Sequence, residues 1–195
     1  MKKLISLLFI LIALMFIVLS ANVFAQDSTK LDCNFRTKEV DEFTGTSKLV
    51  LESEMFIAHT DSSLLKYYKK KPHQYVECEI YCAKINEMKV VYTSWRIDTK
   101  SAYKYFGAIY KDAKLMFKFT DGTTLTLNYL STDSGDTNYD SDYTFYSTYC
   151  LMDDTQFSDL ENKQVEKVRM YWSKGYEDYP VMNPTVFNSQ LKCLK

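Results

Sequence analysis

The sequence predicts an α+β fold dominated by antiparallel strands: a curved sheet or a sandwich with two or three short helices at one side. Three observations carry that expectation. Apolar residues recur with period two over most of the chain, as a sheet with one buried face requires. Short polar turns join the strand segments, which suits antiparallel neighbours, because parallel ones need long crossovers. The chain holds 16 tyrosines and 12 phenylalanines against 5 glycines and 3 prolines. In a strand a tyrosine ring packs while its hydroxyl stays wet.

The first segment lies outside this fold. Lys2 and Lys3 precede an apolar run from Leu4 to Leu19, interrupted only by Ser6, and small residues follow at Val23 and Ala25. That layout is a secretory signal peptide cleaved after Ala25. The run is shorter than the roughly 20 residues of a spanning helix. The first cysteine, Cys33, follows Asp32 and is poorly placed for lipid attachment. The expectation is a signal peptide over 1–25 and a single β-rich domain over 26–195, in the periplasm or outside the cell, with no spanning helix in the mature chain.

A first strand is expected from about Asn34 to Val40, ending in the turn Asp41-Glu42-Phe43-Thr44-Gly45. A long strand follows, with Leu49, Leu51, Met55 and Ile57 on one face and Glu52 and Glu54 on the other. Thr60 to Lys71 reads as a helix capped by Thr60 or Asp61 and ended by Pro72. Two strands then flank Asn86-Glu87, the second over Met88 to Ile97.

The next hairpin allows a choice of register. Leu115, Phe117 and Phe119 alternate on one arm, Leu125 and Leu127 on the other. A two-residue Asp121-Gly122 loop would set Lys118 beside Leu125. A three-residue loop over Thr120 to Gly122 pairs Phe117 with Leu125 and Leu115 with Leu127, so burial selects it. Gly122 then takes the left-handed position that closes a type I turn. Beyond a polar loop, Tyr143 to Leu151 is a strand. Asp153 and Gln156 then form a capping box, with Met152 positioned to staple onto Phe157. Val165 to Trp172 returns as a strand. Asn183-Pro184 opens a last helix striped by Phe187, Leu191 and Leu194.

The turn Asp41-Glu42-Phe43-Thr44-Gly45, the helix with Phe157 and Leu160, and the strand with Val168-Arg169-Met170-Tyr171 resemble features of a loose class of uncharacterised exported proteins of Gram-negative bacteria. The resemblance covers short structural stretches and implies a small, mostly antiparallel fold. It carries no activity and no functional residue.

Five cysteines, Cys33, Cys78, Cys82, Cys150 and Cys193, read in an oxidising compartment as up to two bridges and a spare thiol. Cys78 and Cys82 lie in the alternating run Val76 to Cys82. As strand residues they stand about 13 Å apart, beyond the roughly 7 Å a disulfide spans. Each therefore bridges elsewhere or stays reduced. Removing Lys2 and Lys3 leaves 22 of the 24 basic residues against 25 acidic ones, a net charge of about −3. That gives no electrostatic footing for nucleic acid.

Two stretches are candidate sites. Asp136, Asn138, Asp140 and Asp142 alternate in the loop from Asp133, as oxygen ligands do in calcium loops. The glycine of such loops is missing at Ser141 and no glutamate closes the set, so a solvated acidic turn is the simpler reading. Lys66-Tyr67-Tyr68-Lys69-Lys70-Lys71-Pro72-His73 is a basic run. It suits a solvated helix end, and its functional alternative is contact with anionic headgroups, lipopolysaccharide or an acidic polymer. Neither His59 nor His73 sits in a nucleophile motif, and no glycine-rich phosphate loop is present. The functional expectation is an exported, envelope-associated, non-enzymatic binding or accessory module with an envelope or extracellular partner and no cofactor beyond calcium. The alternative is a small secreted hydrolase using a carboxylate pair.

Overall fold

In the computed structural model, residues 33–195 are described, so the expected signal peptide and its cleavage site lie outside the described residues. The period-two runs become eleven strands, with four short helices between them. In chain order they are β1 (Phe35–Val40), β2 (Ser47–Leu51), β3 (Glu54–His59), α1 (Leu65–Tyr68), β4 (Val76–Ile85), β5 (Met88–Ile97), α2 (Ala102–Tyr105) and β6 (Lys114–Phe119). Then come β7 (Thr124–Asn128), β8 (Asp136–Asn138), β9 (Tyr143–Met152), α3 (Asp154–Asn162), β10 (Val165–Trp172), β11 (Gly175–Pro180) and α4 (Val186–Lys192).

Two antiparallel sheets result. The larger runs β1-β2-β4-β5-β9-β8, with β3 also on β4; the smaller runs β11-β10-β6-β7. Cys78, Ile80, Cys82 and Trp95 of the first and Phe117, Leu127, Val168 and Met170 of the second are buried in one cluster. Phe56 meets Phe117 with ring centroids 6.4 Å apart, and Trp95 meets Trp172 at 5.5 Å. An isolated bridge between Tyr129 and Cys150 ties the sheets together at one side. The fold is thus the expected strand-dominated α+β arrangement. Among the described residues no helix is long and apolar enough to cross a membrane.

Local chemistry fixes several turns as anticipated. Asp41 Oδ1 accepts the amides of Phe43 and Thr44 at 2.9 and 2.7 Å. Phe117 faces Leu125 and Leu115 faces Leu127, while Gly122 has φ +85° and donates its amide to Phe119 O. The three-residue loop wins because it alone puts all five apolar side chains inward. Asp153 and Gln156 make the expected capping box.

Other elements differ. The long strand expected from Leu49 to Ile57 breaks at Glu52-Ser53 into β2 and β3. Both pair with β4, over Ala83–Ile85 and Val76–Ile80 respectively. The split leaves the Cys82 amide with no strand partner, and the buried Gln190 of α4 takes it: Cys82 N donates to Oε1 at 2.7 Å. Gln190 Nε2 donates in turn to Glu52 O at 3.2 Å and Glu54 Oε1 at 3.1 Å. The helix expected over Thr60–Lys71 shrinks to one turn, because Thr60 is recruited elsewhere. Its hydroxyl donates to Gln74 Oε1 at 2.6 Å and accepts the Tyr75 amide at 2.9 Å, closing the neck of a loop. The last helix begins at Val186 with Thr185 as its N-cap residue. Asn183 stands two positions earlier, where its Oδ1 accepts the amide and hydroxyl of Thr185.

One disulfide forms, Cys33–Cys193, where up to two were expected. Cys78, Cys82 and Cys150 are buried free thiols. Cys82 and Cys150 both lie opposite Val91, on its two sides, so two strand spacings, about 9.6 Å, separate them. Cys78 and Cys82 share strand β4, as their spacing required, and do not join.

On the outer face of the larger sheet Tyr81, Tyr92 and Tyr149 stand side by side. Tyr81 and Tyr92 stack at 4.6 Å and Tyr149 follows at 5.5 Å, packed with Val50, Ala83 and Val90. The rings turn their faces to one another, so this row seals a second small core.

Candidate functional site

The basic run and the acidic loop, far apart in sequence, form opposite walls of one polar cleft. Lys71 and His73 line one side, Ser141 and Asp142 the other, and Asp98, Thr99, Lys100 and Ser101 the floor of an open groove of about 560 Å³. Each wall has a local cause. The Thr60–Gln74 clasp holds the loop that carries α1 and the lysines against the end of β5. Asn138 Oδ1 accepts the amides of Asp140 and Ser141 at 3.1 and 3.0 Å, which turns the chain from β8 into β9 and leaves Ser141 and Asp142 at the rim.

Asp98 anchors the arrangement. Its side chain is 7% exposed, with Lys71 Nζ at 2.6 Å, His73 Nε2 at 3.3 Å and Arg96 Nη2 at 3.7 Å. The Tyr68 hydroxyl donates to it at 2.6 Å. Burial pulls the Asp98 pKa upward, but hydrogen bonds from Lys71 and Tyr68 and the charges of Lys71 and His73 outweigh it and hold the carboxyl below its usual range. Burial, then the bond to Asp98, pushes the Tyr68 hydroxyl well above the ordinary tyrosine range, so Tyr68 is a neutral donor. Arg96 donates to Glu77 at 2.6 Å and lies over the Tyr143 ring at 5.2 Å. Asp98 is therefore an ionised brace: Oδ2 accepts from Lys71 and Tyr68, and Oδ1 faces His73 and Arg96. What the cleft offers a ligand is the hydroxyls of Ser101 and Ser141 beside the Lys71–Asp98 and Lys100–Asp142 pairs.

Asp98→Asn is expected to cost about 1–3 kcal/mol near neutral pH, the usual range for losing charge-assisted bonds in a largely buried setting. The folded pKa lies below the unfolded value of 3.8. The stabilisation is therefore complete above that value and fades as pH falls through the folded pKa. The gap between the melts of the two proteins should be constant above about pH 5 and narrow as the pH falls below the unfolded value, and a gap that does not narrow in acid would refute this electrostatic role.

The residues of the calcium candidate take separate roles. Asp136 and Asn138 belong to β8, the Asn138 oxygen serves the turn, and Asp142, at φ +57°, pairs with Lys100 at 3.1 Å. Among the described residues no group of three or more His, Cys, Asp or Glu side chains is placed to hold a metal ion. Strict alternation aligns side chains only along an extended strand, and here the chain turns within the set. His59 lies elsewhere, 3.4 Å from Asp61 and edge-on to Tyr179 at 5.8 Å. The thiols of Cys78, Cys82 and Cys150 are sealed in the core, where burial raises the pKa of each, that of Cys150 to about 12. A thiol so protonated is a poor nucleophile. Asp98 and Lys100 were absent from the sequence-derived candidates. The polar run Asp98-Thr99-Lys100-Ser101 after a long apolar strand was the available signal.

Among the described carboxyls with a displaced pKa, Glu177 alone moves upward, through partial burial first and then Asp61, with His59 opposing. It stands exposed on β11. Comparison of the chain with protein-family models, with curated proteins and with solved structures finds no match.

Proposed function

We propose that this is an exported, envelope-associated binding or accessory module that acts without catalysis, with the polar cleft as its ligand site. The observation that carries this reading is the cleft itself, where two charged stretches from distant parts of the chain meet around an ionised Asp98 whose Oδ2 already accepts from Lys71 and Tyr68. A carboxylate so held is unsuited to proton transfer, whereas lysines and hydroxyls on a rigid strand end suit ligand contact. The export signal in the sequence supplies the compartment, and the Cys33–Cys193 bridge suits an oxidising one. A second reading, a hydrolase with a carboxylate pair, rests on Glu177 and Asp61.

Two measurements test the proposal. Mass spectrometry of the exported protein should give a chain beginning at Gln26, and a species retaining Met1 would contradict export with cleavage. Titration of the isotope-labelled protein with an envelope extract should shift the amides of Lys71, Asp98, Lys100 and Ser141. Turnover of that extract, abolished by Glu177→Gln, would replace the binding reading by the hydrolytic one.

A further inference from the structure

One end of the molecule gathers lysines and tyrosines. Helices α1 and α2 are joined beneath by a row of rings, Tyr68 to Tyr75 at 6.0 Å and Tyr75 to Phe106 at 6.4 Å. Outside that row Tyr67, Tyr103 and Tyr105 are 63%, 51% and 59% exposed. Each carries a lysine: Lys66 lies over Tyr67 at 4.8 Å, Lys104 over Tyr105 at 5.8 Å and Lys174 over Tyr103 at 5.9 Å. Lys174 also donates to Lys104 O at 2.8 Å, so the turn after β10 adds to the same surface. Lys71 and Lys100 continue it into the cleft.

The acidic groups here are already committed. Asp98 is held by Lys71 and Tyr68, Asp142 pairs with Lys100, and Asp61 faces His59. In a chain of net charge −1, Lys66, Lys104 and Lys174, which make no ion pair among the described residues, leave a local positive field. The exposed tyrosine rings stand between the lysines as apolar plates with polar rims.

Resting on the binding reading above, we infer that this end binds an anionic polysaccharide. Its acidic groups meet the lysines, the C–H faces of its sugar rings cover Tyr67, Tyr103 and Tyr105, and one sugar unit enters the cleft against Ser101 and Ser141. A membrane surface fits less well. An interfacial helix needs a broad apolar face, and the large aliphatic side chain exposed on α1 is Leu65 alone, at 47%. A saccharide uses what is present: cationic heads, aromatic faces and hydroxyls around an open groove of about 560 Å³.

The test uses the exported protein with polygalacturonate, neutral dextran, and vesicles of phosphatidylcholine with phosphatidylglycerol at 7:3. Polygalacturonate should bind and dextran should not, and raised salt should weaken the binding because the contacts are exposed. The double variant Lys66→Glu/Lys104→Glu should lose at least about tenfold in affinity, by the addition of two like-charge contacts, with its melting temperature unchanged. Tyr103→Ala should lose severalfold with the charge intact. Equal binding of dextran, equal uptake by the vesicles, or full affinity in the double variant would each overturn the inference. Cleft amides that shift with an envelope extract but not with polygalacturonate would end this inference and leave the binding reading standing.

Discussion

Replacing both cysteines of the bridge, as Cys33→Ser/Cys193→Ser, is expected to lower unfolding stability by about 2–4 kcal/mol while the domain still folds. The bridge joins residues separated by 160 positions. It therefore removes far more freedom from the unfolded chain than from the folded one, and the loop-entropy account places such long closures at the upper end of the range. For a domain of this size the change corresponds to a melting-point drop of roughly 4–16 °C. Folding should persist because Phe187 and Leu191 of α4 are buried independently of the bridge. Guanidinium melts of the variant, and of the native protein with and without reductant, measure this directly. Coincident midpoints for oxidised and reduced protein would remove the bridge from the list of stabilising features.

Gln190→Leu should cost a similar amount, about 2–5 kcal/mol, for a different reason. Leucine is one carbon shorter than glutamine, so α4 presents an apolar side chain at this position and loses both polar atoms. The Cys82 amide loses its acceptor inside the core, and Glu54 loses a donor. An unsatisfied buried donor costs about 1–3 kcal/mol, and losing a bond to a charged group adds to it. The effect should be local as well as global, with hydrogen exchange at Cys82 accelerating more than exchange at Val91 on the neighbouring strand. Unchanged stability would mean that β2 and β3 close the gap without help. The bridge and this glutamine both act through α4, so the two variants together should depart from additivity.

Much of this architecture was legible because its causes are local. The bounds of β5 and β10, the register of the β6–β7 hairpin and the box at the start of α3 follow from side-chain alternation and turn chemistry within about ten residues of sequence. That Cys78 and Cys82 do not join each other followed from strand geometry alone, whereas their staying reduced did not. The boundary between β2 and β3 was not legible. The period-two pattern runs on through Glu52 and Glu54, and what breaks it is β4 accepting two partners in succession, with Gln190, more than a hundred positions away, filling the gap. The shortened α1 has the same kind of cause, a clasp between Thr60 and Gln74 that competes with capping.

The candidate site divides along the same line. The basic run and the acidic loop could each be picked out by composition, and each by itself was a solvated stretch or a motif lacking parts. Their meeting around Asp98 depends on Lys71 reaching it across 27 positions and on β9 lying beside β5. By itself, then, the sequence determined the strand-rich fold class, most element bounds and the one hairpin register. Those rest on steric and hydrogen-bond preferences that act between near neighbours. Tertiary structure decided the pairing of Cys33 with Cys193, the split of the second strand and the existence of the cleft. Each is a contact between segments brought together only by burial of the shared core, and no local preference encodes the partner.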